Sequence, residues 1–137
     1  KKYGPQVKRV VVTSSYARVQ NELNMTAFDM ETAQRFGAPY LAVIGNNSAM
    51  NQIRYGQLTK YGEKRGDVGN KLGDVPFSKF GDMIGGYGEE VTEASQIQPA
   101  MQRAREAIAK SGKCAVVNVW VDPNEYAPGT KAQTMYK

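Results

Sequence analysis

Two uninterrupted apolar runs, residues 40–45 (YLAVIG) and 114–121 (CAVVNVWV), constrain this chain more than any other feature. Each is too short to be read as a full helix, and neither shows the apolar/polar alternation of a strand with one wet face. Both therefore read as strands covered on both sides, the arrangement of a central parallel sheet. Both also fall far short of the roughly 18 apolar residues that a membrane-spanning helix needs. A β-branched run, residues 8–12 (KRVVV), supplies another strand.

Helical signals lie between these runs. Thr26 followed by Asp29 resembles a capping box and predicts a helix over 27–36, closed by Gly37 and stopped by Pro39. Ser48 is expected to cap a helix over 49–58. Residues 59–74 (TKYGEKRGDVGNKLGD) carry glycine and charge without apolar periodicity, which predicts a long loop. Phe77, Phe80 and Ile84 mark one face of a helix over 76–84, and residues 88–91 (GEEV) a short strand. Ser95 is expected to open the next helix, with Gln98 at the capping-box position and Pro99 in the first turn. Its inner stripe would be Met101, Ala104 and Ile108, and Gly112 would close it. The order β-α-β-α-α-β-α-β predicts an α/β fold, a three-layer sandwich with a mostly parallel sheet and helices on both faces. The domain spans 1–121, and 122–137 reads as an extended C-terminal tail.

Composition narrows the chemistry. The 137 residues include no histidine, so the chain by itself supplies no Ser-His-Asp triad, Cys-His dyad or histidine metal site. One cysteine, Cys114, makes no internal disulfide, which suits a reducing, cytoplasmic setting. Lys and Arg number 18 against 13 acids, a net +5, but the two signs are interspersed. No basic-aromatic stripe appears, so nucleic acid is not expected as a partner, nor is a membrane. The basic, then apolar N-terminus is too short in its apolar part for a signal peptide.

In open parallel sheets, ligands sit beyond the carboxyl ends of the strands. That directs attention to Gly45-Asn46-Asn47-Ser48, although two asparagines after a strand also suit an ordinary turn. The longer segment MTAFDMETAQRFGAPYLAVIGNN resembles the second half of the thiamine-diphosphate signature, in which a helix carrying E-T-A precedes an apolar strand ending in Asn-Asn. NQIRYGQ, KFGDMIGGYGEEV, AREAIAKSGKCAVVNVWVDPNEYAPGT and QTMYK extend the resemblance along the chain. It is similar to the C-terminal, diphosphate-binding domain of thiamine-diphosphate enzymes, and most similar to the 2-hydroxyacyl-CoA lyase and oxalyl-CoA decarboxylase branch.

The resemblance implies thiamine diphosphate and Mg²⁺ as cofactors, with Asn46, Asn47, Ser48, Ala49 and Met50 as the cofactor-binding turn. Asn47 would give Mg²⁺ its side-chain oxygen and Ala49 its backbone carbonyl, and Tyr55 and Gln57 would face the cleft. It also implies pyrimidine-binding and central domains, in the same enzyme or in a partner chain, and a homo-oligomer. An acyl-CoA substrate would meet Tyr126, Lys131, Tyr136 and Lys137 in the tail. An acetolactate-synthase-like decarboxylase shares the same central block. The family's Gly-Asp-Gly motif, whose aspartate binds the metal, is absent. Gln20 or Ala17 falls in its place, Glu22 is the nearest carboxylate, and no glycine lies between Gly4 and Gly37. Three accounts remain open: a degenerate, non-catalytic α/β binding module, a replaced segment in an otherwise intact domain, or a local structure that depends on partner domains.

Overall fold

A computed structural model of the chain describes residues 11–13 and 27–124. In chain order the elements are β1 (Val11–Thr13), α1 (Asp29–Arg35), β2 (Leu41–Asn46), α2 (Asn51–Tyr61), α3 (Glu63–Gly66), α4 (Ser78–Met83), β3 (Tyr87–Val91), α5 (Ala94–Ser111) and β4 (Ala115–Trp120). The strands form one sheet in the order β1-β2-β4-β3, every pairing parallel. Leu41 pairs with Ala115 and Asn46 with Trp120, so β2 and β4 reach the carboxyl edge together.

The two apolar runs are the central pair, as their continuous hydrophobicity requires. Alternate residues serve opposite faces. Ala42, Ile44, Cys114 and Val116 pack with Met30 of α1 and with Phe77 and Phe80 at α4. Leu41, Ala115, Val117 and Val119 pack with Ala100 and Ala104 of α5. Helices therefore cover both faces, as the sequence led us to expect of this α/β fold. Gly88 allows α4 to lie directly on β3, since a Cβ there would sit 2.1 Å from the Ser78 carbonyl oxygen.

Gly37 ends α1 as anticipated, with φ of +74°. The Ala38 N–H donates to the Ala33 carbonyl at 2.8 Å and the Gly37 N–H to Gln34 at 3.1 Å, a Schellman closure. The start of α1 differs: the helix begins at Asp29 with no side-chain cap, and Thr26 lies outside the described residues. Residues 8–10 of the expected first strand also lie outside them.

Other expectations are corrected. α2 starts at Asn51 after Met50 and has no side-chain cap, because the Ser48 hydroxyl is engaged with Asp74 instead. The long loop over 59–74 is partly helical. α2 runs on to Tyr61, Gly62 turns the chain at φ +72°, and α3 follows. α5 begins at Ala94, one residue before Ser95, which places Pro99 sixth in the helix rather than in its first turn. Its sheet-facing stripe is Ile97, Ala100, Ala104 and Ile108, with Met101 half-buried beside it. Among the described residues no helix is long and apolar enough to cross a membrane.

Candidate functional site

The carboxyl end of β2 is built from consecutive asparagines whose side chains fold back on their own backbone. Asn46, fully buried, accepts the Ser48 N–H on Oδ1 at 3.0 Å and donates from Nδ2 to the Val75 carbonyl at 2.8 Å. Asn47, 8% exposed, accepts the Ala49 N–H on Oδ1 at 3.2 Å. These are two overlapping Asx turns, and they explain why short amides are needed here. The left-handed conformation falls on Ser48, with φ of +53°, rather than on either asparagine. Its hydroxyl donates to Asp74 Oδ1 at 2.8 Å.

Ala49 then forms an antiparallel bridge with Lys71. The Leu72 N–H donates to Ser48 at 2.9 Å and the Met50 N–H to Asn70 at 2.8 Å, so the hydrogen bonds flank the pair. In such a pair the central residue directs its own N–H and C=O away from the facing strand. The Ala49 N–H does so, reaching Asn47 Oδ1. Its carbonyl consequently shares a side with that oxygen, opposite the returning segment that carries Asp74. Met50 is half-buried, and its carbonyl accepts the first N–H groups of α2 from Ile53 and Arg54.

The arm formed by α2 and α3 is held by polar contacts. Asn51, 2% exposed, donates from Nδ2 to the Pro123 carbonyl at 2.7 Å. Arg54 donates to Asn51 Oδ1 at 3.4 Å and from Nε to Asp67 Oδ1 at 2.6 Å. Lys71 meets the other Asp67 oxygen at 2.8 Å. Hydrogen bonds from Lys71 and Arg54 hold the Asp67 carboxyl below its ordinary pKa. Gln57, expected to face the cleft, instead accepts from Asn70 Nδ2 at 2.7 Å within the arm. Tyr55 is half-buried.

A third constellation lay unrecognised in the sequence. Glu90 accepts Asn118 Nδ2 and Trp120 Nε1, each at 2.6 Å, and the Ser78 N–H at 3.3 Å. Asn118 Oδ1 is buried with no hydrogen-bond partner among the described residues. The only hint was Asn118 interrupting an apolar strand; nothing in the spacing pairs it with Glu90.

Two neutral oxygens on one side of a turn suit a hard divalent cation, which takes carboxylate, amide and backbone oxygens. The described residues contain no group of three or more His, Cys, Asp or Glu that could hold a metal alone. Asn46 to Met50 lie in this turn at the carboxyl end of β2. Ala17, Gln20 and Glu22, and the tail residues Tyr126, Lys131, Tyr136 and Lys137, lie outside the described residues.

Residues 22–119, which contain the turn and most of the sheet, match the family described as thiamine pyrophosphate enzyme, C-terminal TPP binding domain. The chain belongs to this family. Thiamine pyrophosphate, the same compound as thiamine diphosphate, is the cofactor this domain type binds. A protein of Bacillus subtilis (strain 168), YdaP, whose name describes it as thiamine pyrophosphate-containing, is 30% identical over 106 residues. Those residues are 77% of this chain and 17% of YdaP, so the chain spans under a fifth of that relative.

Proposed function

We propose that the chain is the diphosphate- and Mg²⁺-binding domain of a thiamine-diphosphate-dependent lyase that splits a 2-hydroxyacyl-CoA into formyl-CoA and an aldehyde or ketone. The observation that carries the binding part is the shared orientation of Asn47 Oδ1 and the Ala49 carbonyl at the carboxyl end of β2. The lyase branch is supported by the YAPGT and QTMYK segments alone. When bound, the cofactor supplies an electron sink for the carbanion formed beside a carbonyl carbon.

In this reading, Asn47 and Ala49 hold the metal and Asn46 fixes the turn that presents them. Met50 lines the reactive end of the cofactor, while Ser48 sets the chain direction. The pyrimidine-binding and central domains come from elsewhere in the enzyme or from a partner chain, in a cytoplasmic homo-oligomer. The domain proper is 1–121. In the tail, 122–137, Lys131 and Lys137 meet the CoA phosphates, and Tyr126 and Tyr136 cover the acyl end.

The missing acidic metal ligand favours a second reading, a degenerate module that keeps the fold without catalysis. Formyl-CoA release from a 2-hydroxyacyl-CoA separates the two. The 137-residue chain alone should give no turnover, whereas an assembly that includes the partner domains should. In that assembly, deleting 130–137 should raise KM for the acyl-CoA and lower kcat, leaving cofactor affinity unchanged. An assembly that binds cofactor yet releases no formyl-CoA would leave the degenerate module standing.

A further inference from the structure

The bridge to Lys71 gives Ala49 its direction, and Lys71 is itself the end of a chain of polar contacts. From the root of the tail it runs through Pro123, Asn51, Arg54 and Asp67 to Lys71, every link within hydrogen-bond or ion-pair distance. Arg54 is its centre, with only 13% of its side chain exposed and its guanidinium divided between Asn51 and Asp67. Apolar packing on the arm centres on Leu58 against Gly66, where α2 meets α3, and leaves much of its other apolar surface open. Ile53, Tyr61 and Val68 on the arm are all at least half exposed. Ala49 offers a backbone carbonyl, which no side-chain rotamer can re-aim, so its direction depends on whatever fixes Lys71 and α2.

We infer that the chain of contacts centred on Arg54 fixes the aim of the Ala49 carbonyl and thereby makes the turn selective for Mg²⁺ over Ca²⁺. This rests on the proposed role of Asn47 and Ala49 as metal ligands. The physical reason is the difference between the ions. Mg²⁺ demands near-octahedral oxygens at about 2.0–2.1 Å, whereas Ca²⁺ tolerates six to eight ligands at about 2.3–2.6 Å in irregular geometry. A rigid carbonyl therefore favours the smaller ion, and a loosened one penalises it most. Arg54 is a positioning residue here, acting through Asp67 and Lys71 without touching the metal.

The test is a titration of the full chain with thiamine diphosphate in MgCl₂ or CaCl₂, read from the amide resonances of residues 46–51. Arg54→Gln should weaken Mg²⁺-dependent binding about tenfold, the low end for losing a residue that orients metal ligands. It should leave Ca²⁺-dependent binding within about threefold, so the Mg²⁺ preference narrows. Asp67→Asn should do the same. Arg54→Lys, which keeps the charge but not the planar fork, should recover only part of the preference, and it remains usable where Arg54→Gln does not fold. Amide exchange should quicken at Met50 and Leu72, whose bonds flank Ala49, and stay unchanged in β2 and β4. A Mg²⁺/Ca²⁺ ratio unaltered in both Arg54 variants, with Asn47→Ala still abolishing binding, would overturn the selectivity role alone. Binding in wild type that ignores Asn47→Ala, or no cation-dependent binding at all, would overturn the ligand assignment and this role with it.

Discussion

The sheet and the arm solve the problem of holding a shape in different ways. In the sheet, β2 and β4 bury Ile44, Val116 and Val117 completely and hold position by apolar packing on both faces. In the arm, residues 49–75 expose much of their apolar surface and are cross-linked by Asn51, Arg54, Asp67, Asn70 and Lys71. Packing is non-directional and sets where the end of β2 lies. Hydrogen bonds and ion pairs are directional, and they set which way Asn47 and Ala49 point. The site stands where the two regimes meet.

The largest effect should come from breaking the sheet. Ile44→Ala removes a fully buried side chain and should cost about 2–5 kcal/mol, seen as a lower urea midpoint with global loss of exchange protection. A loss below about 1 kcal/mol would mean that the face shared with α1 and α4 is not a packed core.

Asn51→Ala should do less. It removes the donor to the half-buried Pro123 carbonyl and should cost about 0.5–1.5 kcal/mol, the net range for one lost hydrogen bond. Here the opening should be local, with exchange quickened around residues 49–72 and 121–123 and the central strands still protected. Uniform loss of protection would erase the distinction between the two regions.

Acid should act most weakly. Hydrogen bonds from Lys71 first and then Arg54 hold the Asp67 carboxyl below the usual carboxylate range, and Arg103 first does the same for Glu89. A carboxyl whose folded pKa is lowered contributes stability above its unfolded pKa, and the contribution fades as pH falls through the folded value. Urea midpoints should therefore show this contribution in full and unchanging between pH 7 and about 5, with a decline below about pH 4 that Asp67→Asn partly flattens. A wild-type midpoint that rises as pH falls from about 7 toward 4, and no longer rises in Asp67→Asn, would show the sign to be wrong.

The same division explains what could be read from the sequence. Strands buried on both faces announce themselves as unbroken apolar runs, and Gly37 and Gly112 mark helix ends because left-handed caps favour glycine. The Asn-Asn turn was legible because it ends such a run. The arm carries no apolar period, so residues 59–74 looked like loop although part is helix. Arg54 and Asp67, thirteen positions apart, and Glu90 and Asn118, twenty-eight apart, show no spacing that signals a pair. Ser48, rather than an asparagine, took the left-handed conformation because both amides were already committed to Asx turns.

The most direct test of the central claim is a titration of the ¹⁵N-labelled chain with thiamine diphosphate and Mg²⁺, in wild type and Asn47→Ala. With no group of three or more His, Cys, Asp or Glu among the described residues to hold a metal, binding by the lone chain should be weak. The account predicts Mg²⁺-dependent shifts concentrated at the amides of Asn46 to Asn51 and lost in Asn47→Ala. Shifts centred elsewhere on the sheet, or undiminished in the variant, would contradict it.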